Sequence, residues 1–271
     1  MLYPTAGLAV GRVKEPEWAV AVTRAYNSWL HDKFLQATPR LKGVAMLPLQ
    51  SIPDAVIELR RAVTELGMVA ALLPGAGLKH LLGDHYYDPI YEAAQELNVP
   101  LAVHGGRAEG MGLDDFDQAI KARTLSHPFA QSIQLTDMMF SGLFDRFPRL
   151  RISFMEAGVG WALFLMDRME RGVTKEWAIE APEMKLSPEE HLTSGRIFFH
   201  CELDEQILPY AVGVLGDKAL LYATDFAHQP PQQCFEEKRE FMERSDLSEE
   251  TKLQIMGENA RRLYALEGAS G

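Results

Sequence analysis

The sequence predicts an α/β fold of the (β/α)8 TIM-barrel type, with residues 1–271 forming one domain. Short apolar runs without strict alternation recur along the chain, as expected of parallel strands that are buried on both faces. Helical segments separate these runs, and such repetition indicates right-handed crossovers in a parallel sheet. Seven strands are predicted, whereas a closed barrel has eight. A doubly wound open sheet is the alternative, although no glycine-rich phosphate loop follows any strand.

The predicted strands are a weak run at residues 1–3, then 44–47, 68–73, 101–104, 152–156, 197–201 and 220–225. Pro48 and Pro74 stop the second and third of them. The predicted helices are 15–36, 52–66, 88–97, 127–147, 158–171, 204–214, 231–244 and 248–266. Ser51 is a typical N-cap for the helix at 52–66, and Pro128 suits the first turn of a helix that begins at His127.

The composition narrows the class of protein. Hydrophobic residues make up 47% of the chain and charged residues 24%, which suits a folded domain with a large core. The formal net charge of −11 disfavours nucleic acid and anionic membranes as partners, because both repel an acidic surface. Cys201 and Cys234 form no close-spaced pair, no apolar stretch reaches the length of a membrane span, and the N-terminus lacks signal-peptide features. We therefore expect a cytoplasmic protein with reduced thiols.

Three of the predicted strands end in a residue that can bind a metal or transfer a proton: His104, Glu156 and Asp225. The carboxyl ends of parallel strands form the edge where active sites of such folds lie, so we expect a shared pocket. Gly105 and Gly106 let the backbone turn after His104 and leave room for a ligand. Each residue also has a purely structural alternative, namely a strand-end cap for His104, an ion pair with arginine for Glu156 and a helix cap for Asp225.

Four further polar residues are each open to more than one interpretation. His228 lies three residues after Asp225 and is a second base, a metal ligand or an exposed loop residue. His127 faces either a pocket or solvent. His200 and Glu202 point to the same side of their strand. The two side chains line the pocket if that side faces the barrel interior, and they have a structural role if it faces the helices. The chain contains no His-x-His or HExxH zinc motif. It also contains no Gly-x-Ser-x-Gly motif, and the absence of that motif argues against a serine hydrolase.

Several short segments have a characteristic order and spacing. They are Tyr87-Asp88-Pro89, Val103-His104-Gly105-Gly106, His127-Pro128-Phe129, Phe147-Pro148-Arg149-Leu150, Glu156-Ala157-Gly158-Val159-Gly160-Trp161, Thr224-Asp225-Phe226-Ala227-His228 and Gly257-Glu258-Asn259-Ala260-Arg261-Arg262-Leu263-Tyr264. Together with the Leu2-Tyr3-Pro4-Thr5 start, they make the chain resemble the amidohydrolase-related barrels that include aminocarboxymuconate-semialdehyde decarboxylase and its relatives.

The resemblance implies a distorted (β/α)8 barrel that holds a divalent metal, usually zinc, and a small-molecule substrate that is acidic or ring-derived. It implies a metal-dependent hydrolase or decarboxylase. His104 and Asp225 would be metal ligands, with Asp225 also handling the proton of an activated water. The other implied roles are proton transfer for Glu156 and His228, and substrate binding for His127 and Trp161.

The chain departs from this family at two strands. The first strand of the family carries a His-x-His ligand pair that is absent here, and residues 1–3 correspond to strand two. Strand six offers Glu156 where many members have histidine. We therefore expect a barrel that lacks its first strand, with the open edges covered by a homodimer partner or by an unusual closure. The alternative function is that of a metal-free, non-catalytic relative serving as a binding or assembly protein.

Overall fold

The computed structural model describes residues 1–106, 109–173 and 177–266. Its sheet has six parallel strands that adjoin in chain order: β1 (Val44–Met46), β2 (Ala70–Pro74), β3 (Leu101–His104), β4 (Ile152–Met155), β5 (Ile197–His200) and β6 (Leu220–Leu221). The helices of the described residues are α1 (Pro16–Leu30), α2 (Ile52–Thr64), α3 (Asp88–Glu96), α4 (Ala119–Phe140), α5 (Leu143–Arg146), α6 (Gly160–Gly172), α7 (Trp177–Glu180), α8 (Pro188–Leu192), α9 (Leu208–Leu215), α10 (Pro231–Glu243), α11 (Glu249–Leu253) and α12 (Asn259–Leu263). None of them is long and apolar enough to cross a membrane.

The parallel sheet is confirmed, but one predicted strand is absent and the last strand is shorter than predicted. Residues 1–3 form no strand, because Leu2 makes only an isolated parallel bridge to Gly43. The described sheet therefore has six strands and not seven. β6 ends at Leu221, opposite His200, the last residue of β5. Residues 222–225 lie outside the sheet. Strand β5, the neighbour of β6, ends at His200, so it has no further strand residue with which they could pair.

The helix that carries His127 begins earlier than predicted. α4 starts at Ala119 after an extended Gln118, so His127 lies inside the helix and Pro128 is not in its first turn. The prediction was wrong because proline is typical of the first turn but is not confined to it. Elsewhere, α1 continues as a π-helix over His31–Leu35, and the predicted helix at 248–266 is divided by a second π-helix at Gln254–Glu258.

Both faces of the sheet are buried in separate apolar clusters. Alternate strand residues pack against the helices, among them Ala45, Ala71, Val103, Phe154 and Phe199. The intervening strand residues form the second cluster, with Val44, Leu72, Ala102, Met155, Phe198 and Leu221. This arrangement explains why the strands lack polar–apolar alternation.

The C-terminal helical segment links the two edges of the sheet. At the β6 edge, Asn259 Nδ2 donates hydrogen bonds to the carbonyls of Leu220 at 2.7 Å and Asp217 at 2.6 Å. At the opposite edge, the hydroxyl of Tyr264 lies 2.6 Å from that of Tyr3, and both tyrosines belong to or pack on the second cluster. The open edges predicted from the sequence are therefore joined by the chain's own C-terminal residues, and the homodimer stays a prediction.

A buried polar network attaches α1 and α2 to β1. Asn27 exchanges two hydrogen bonds of 2.9 Å with the backbone of Met46. The Glu58 carboxylate, 1% exposed, accepts hydrogen bonds from Asn27 at 2.8 Å, from Arg24 at 3.1 Å and from Arg61 at 2.7 and 2.9 Å. Because every one of these partners is polar or cationic, the charge of Glu58 is compensated within the helix layer.

Candidate active site

The C-terminal edge of the sheet gathers polar residues from four consecutive strands. His104 and His200 are the last residues of β3 and β5, Glu156 directly follows β4, and Asp225 lies in the segment after β6. Because β3 to β6 adjoin in order, these residues come side by side at one edge. This is the edge at which active sites of parallel α/β folds are built.

The contact between His104 and Glu156 is the closest in the group. Nε2 of His104 lies 2.6 Å from Glu156 Oε2, and Nδ1 lies 2.8 Å from the carbonyl of Gly105. A carbonyl only accepts hydrogen bonds, so Nδ1 carries a hydrogen. Nε2 then faces a carboxylate, which also only accepts. The contact therefore requires either a second proton on the imidazole or a cation that binds the Nε2 lone pair.

The charge on Glu156 favours this interpretation. Burial alone raises the pKa of its carboxyl group, but the hydrogen bond with His104 and then the charge of that imidazole oppose burial, and the pKa lies below its usual value. The carboxyl group of Glu156 therefore does not supply the missing proton at neutral pH. Backbone geometry adds a second feature, because Glu156 has a φ of 58°, in the left-handed region that few non-glycine residues adopt.

His127 lies next to His104 because a glycine separates their backbones. A Cβ on Gly105 would be 2.6 Å from Cα of His127, so only glycine allows α4 to approach this closely. The two imidazole rings are 5.4 Å apart between centroids and inclined at 72°. Burial lowers the pKa of His127 despite the opposing charge of Glu156, so the ring is neutral at pH 7 and offers a lone pair.

Asp225 and His228 form a second pair in the segment after β6. Nδ1 of His228 lies 2.8 Å from Asp225 Oδ1, and the His228 backbone N–H donates to the Asp225 carbonyl at 2.8 Å. The φ of 47° at Asp225 is left-handed, a conformation in which aspartate is better tolerated than most residues. The side chain of His228 is 55% exposed, so this pair can exchange protons with solvent.

Glu156 belongs to two overlapping groups of possible metal ligands (the donor groups), one with His104 and His127 and the other with Asp225 and His228. The ligand atoms of His104, His127 and Glu156 all lie within 4.8 Å of one another, and so do those of Glu156, Asp225 and His228. Imidazole nitrogens and carboxylate oxygens are ligands that zinc and manganese accept. An Nδ1–H that donates to a backbone carbonyl, as in His104, is also usual for a histidine ligand. The residues at this edge thus fit a divalent cation.

Trp161 belongs to neither donor group. Its indole N–H donates to the carbonyl of Gly158 at 3.0 Å, and its ring lies 5.7 Å from Phe154 and 5.6 Å from Phe199. Both phenylalanines are part of the helix-facing cluster. These contacts give Trp161 a packing role and leave its predicted contact with substrate without support.

The sequence left the orientation of His200 and Glu202 open. In the structure His200 is 2% exposed and accepts a hydrogen bond at Nδ1 from the backbone N–H of Glu156 at 3.2 Å. Its alternation with Phe198, a member of the second cluster, was the available signal for this inward orientation. Glu202 Oε1 lies 3.9 Å from His200 Nδ1. Burial, reinforced by the charge of Glu205, raises the pKa of Glu202 to about 7.

A cleft of about 1250 Å³ lies beside the end of β2, and none of its described lining residues belongs to the donor groups. The segment after β2 lines it and is attached to the site, because the Gly75 N–H donates to the His104 carbonyl at 2.8 Å. Arg12, Lys14 and Lys79 also line the cleft, and none of the three forms an ion pair with a carboxylate among the described residues. Glu109 and Asp114 line the same cleft, so its described lining carries three cationic and two anionic side chains.

A parallel sheet whose C-terminal edge presents imidazoles and carboxylates that fit a divalent cation is typical of the class of metal-dependent α/β barrel enzymes. Within that class, the chain belongs to the amidohydrolase family, because the family profile described as amidohydrolase matches residues 4–266. The family, the barrel type and the enzymatic nature predicted from the sequence are confirmed.

The chain is similar to several decarboxylases. It is 25% identical over 268 residues to 2-amino-3-carboxymuconate-6-semialdehyde decarboxylase of Dictyostelium discoideum, covering 97% of this chain and 72% of that protein. It is 26% identical over 270 residues to gamma-resorcylate decarboxylase of Rhodococcus jostii, covering 96% and 81%.

Two crystal structures share the fold. 5-Carboxyvanillate decarboxylase from Sphingomonas paucimobilis superposes with a TM-score of 0.83 at 23% identity, covering 97% of this chain and 77% of that one. Dihydroxybenzoic acid decarboxylase from Polaromonas sp., which contains bound manganese and the inhibitor 2-nitroresorcinol, has a TM-score of 0.82 at 24% identity, covering 96% and 80%.

Proposed function

We propose that the protein is a metal-dependent decarboxylase that releases CO2 from a small acidic compound with an aromatic or ring-derived skeleton. The observation that carries the proposal is the contact of His104 Nε2 with Glu156, which needs a cation or a proton between the two side chains. The names of the related decarboxylases support the choice of reaction within the family.

His104 and Asp225 are the proposed metal ligands, with Glu156 between them as the residue common to both donor groups. When bound, a divalent metal supplies a Lewis acid that holds and polarises substrate oxygens at this edge. Zinc is the ion that the resemblance implies, and manganese is the ion bound in a related structure. Both ions belong in any assay of the protein.

The residues around the proposed ligands account for the protons of the reaction. Decarboxylation breaks the bond between the carboxylate and the carbon that carries it. CO2 leaves, the electron pair stays on that carbon, and the carbon takes up a proton. Asp225 is the proposed proton donor, and the partly exposed His228 at 2.8 Å would restore its proton from solvent. Glu156 is the second proposed proton carrier.

Substrate binding is assigned to His127 and to the cleft. His127 is neutral because burial lowers its pKa, so it can hydrogen-bond a substrate hydroxyl without repelling the metal. Arg12, Lys14 and Lys79 line the cleft together with Glu109 and Asp114, and these three cations are the groups that would bind the carboxylate of an acidic substrate. The cytoplasmic location stays a prediction.

The test is turnover of hydroxybenzoates by the protein loaded with Mn²⁺ or Zn²⁺. We expect about one equivalent of bound metal, and release of CO2 with loss of the acid's ultraviolet absorbance for 2,6-dihydroxybenzoate or a related acid. His104→Ala should lose both the metal and the activity. His80→Ala is the matched control, since His80 pairs with Asp84 outside both donor groups and its loss should change neither.

Two outcomes would contradict the proposal. Protein that retains well under one equivalent of metal after loading would favour the metal-free binding or assembly protein. Metal-loaded protein that leaves every acid intact but cleaves an ester, amide or lactone would favour the hydrolase that shares the same ligands.

A further inference from the structure

His200 is a buried polar residue that the proposed reaction does not use. It is the last residue of β5 and is 2% exposed, between a strand that ends in Met155 and one that ends in Leu221. Burying an imidazole in such surroundings is unfavourable unless its nitrogens have partners. The partner that it does have is the backbone of Glu156.

The hydrogen bond fixes the tautomer of His200. Its Nδ1 lies 3.2 Å from the backbone nitrogen of Glu156, which can only donate, so Nδ1 is the acceptor and carries no hydrogen. In the neutral ring the hydrogen then resides on Nε2. Burial lowers the pKa of His200, which keeps the ring in this neutral form at pH 7. Nε2 makes no hydrogen bond of good geometry within the described residues.

Glu156 needs such support because of its backbone conformation. With a φ of 58°, it occupies the left-handed region that is unfavourable for a residue with a long side chain. This turn directs its carboxylate to His104 Nε2 at 2.6 Å. A relaxation to extended backbone would carry the carboxylate away from both donor groups, since Glu156 is common to the two.

We propose that His200 is a positioning residue that holds Glu156 in its left-handed turn and so aligns the carboxylate between the two donor groups. Its importance for catalysis rests on the proposed function, whereas the positioning itself does not. His200 is not itself proposed as a ligand. Its Nδ1 is engaged by Glu156, its Nε2 carries the hydrogen, and it belongs to neither group of donor atoms within 4.8 Å.

Two substitutions separate the acceptor from the bulk of the side chain. His200→Asn places an amide oxygen near the position of Nδ1 and keeps the hydrogen bond from Glu156. His200→Leu has similar bulk without an acceptor. The readouts are the affinity for Co²⁺ and the visible spectrum of the Co²⁺-loaded protein, which reports ligand geometry independently of turnover. We expect His200→Leu to weaken Co²⁺ binding by about 10- to 100-fold, as loss of a ligand-orienting contact does, and to alter the spectrum. His200→Asn should restore both.

Equal behaviour of the two variants, whether both are intact or both impaired, would overturn the inference. A third measurement tests the inference even if a variant does not fold or the protein binds no metal. In wild-type protein labelled with ¹⁵N-histidine, long-range ¹⁵N–¹H correlations report which ring nitrogen is protonated. We expect an unprotonated Nδ1 and a protonated Nε2 for His200. A protonated Nδ1 would exclude the hydrogen bond from Glu156, whereas absent metal binding alone would count against the proposed function.

Discussion

The close approach of α4 to the end of β3 depends on Gly105, and Gly105→Ala is expected to disturb the site. The added Cβ would lie 2.6 Å from Cα and 2.9 Å from both Cβ and the carbonyl oxygen of His127. These neighbours are backbone or close to it, so no flexible side chain can move aside. The helix itself has to shift.

The size of the shift follows from the contact distances. Ordinary van der Waals contact begins at 3.4 Å, so His127 must move by about 0.8 Å relative to Gly105. Overpacking of this kind costs about 1–3 kcal/mol. For a chain of this size that loss lowers Tm by roughly 3–10 °C. A displacement approaching 1 Å at a reacting group can reduce turnover by about 100-fold.

Thermal unfolding and Mn²⁺ titration of Gly105→Ala measure these effects, together with turnover of the acid identified in the assay above. Gly106→Ala is the matched control. Among the residues that the structure describes, its added methyl group would come no closer to a non-neighbouring residue than 4.0 Å, at the Ala76 Cβ, so its Tm and Mn²⁺ affinity should equal those of the wild type. If Gly105→Ala were as stable and as active as Gly106→Ala, the close packing of His127 against this loop would be refuted.

Three further predictions concern charge. The pKa of Glu202 is about 7, so between its usual value of 4.5 and 7 the folded chain holds a proton that the unfolded chain has lost, and stability falls as the pH rises. Glu202→Gln should therefore raise Tm at pH 8 and leave it unchanged at pH 4, as differential scanning calorimetry would show; a constant difference would contradict the assignment. Mn²⁺ affinity should fall as the pH is lowered, because protons compete with the metal for imidazole and carboxylate ligands, and an affinity by calorimetry that stays constant as the pH is lowered would contradict such a ligand set. Glu58→Ala should cost about 3 kcal/mol in chemical denaturation because it unpairs a buried cluster, whereas Glu96→Ala, in an exposed pair, should cost at most about 1 kcal/mol.

The order of strands and helices was predictable because apolar runs reflect burial on both sides of a parallel sheet. The two clusters flanking the strands are the physical basis of that pattern. Where each strand ends was less predictable. Residues 222–225 have the composition of a strand, but pairing depends on the neighbouring strand, and β5 stops opposite Leu221. A single segment contains no information on where its partner stops.

The positions of the candidate residues divide in the same way. His104 and Glu156 were predictable because each ends an apolar run at the functional edge of the fold. The left-handed turn at Glu156 and the support from His200 were not, because both depend on contacts between strands that are 44 residues apart in sequence. His127 was placed at a helix start from Pro128, although its approach to His104 depends on the packing of α4 against Gly105.

The contact between His104 and Glu156 explains how one arrangement suits both a metal-free and a metal-bound chain. Without metal, a proton on Nε2 satisfies the carboxylate at 2.6 Å and prevents two acceptors from facing each other. With metal, Nε2 of His104 and the carboxylate of Glu156 would both be available as ligands, and the two atoms would move apart from their 2.6 Å contact to admit the ion. Exchange of the proton for the ion requires that neither residue can swing far away. The Gly105 carbonyl holds Nδ1 of His104 at 2.8 Å, and His200 holds the backbone of Glu156 at 3.2 Å. The second group of donors, Asp225 and His228, is tied to this contact only through Glu156, so the placement of that one carboxylate determines whether both groups can act on the same ion.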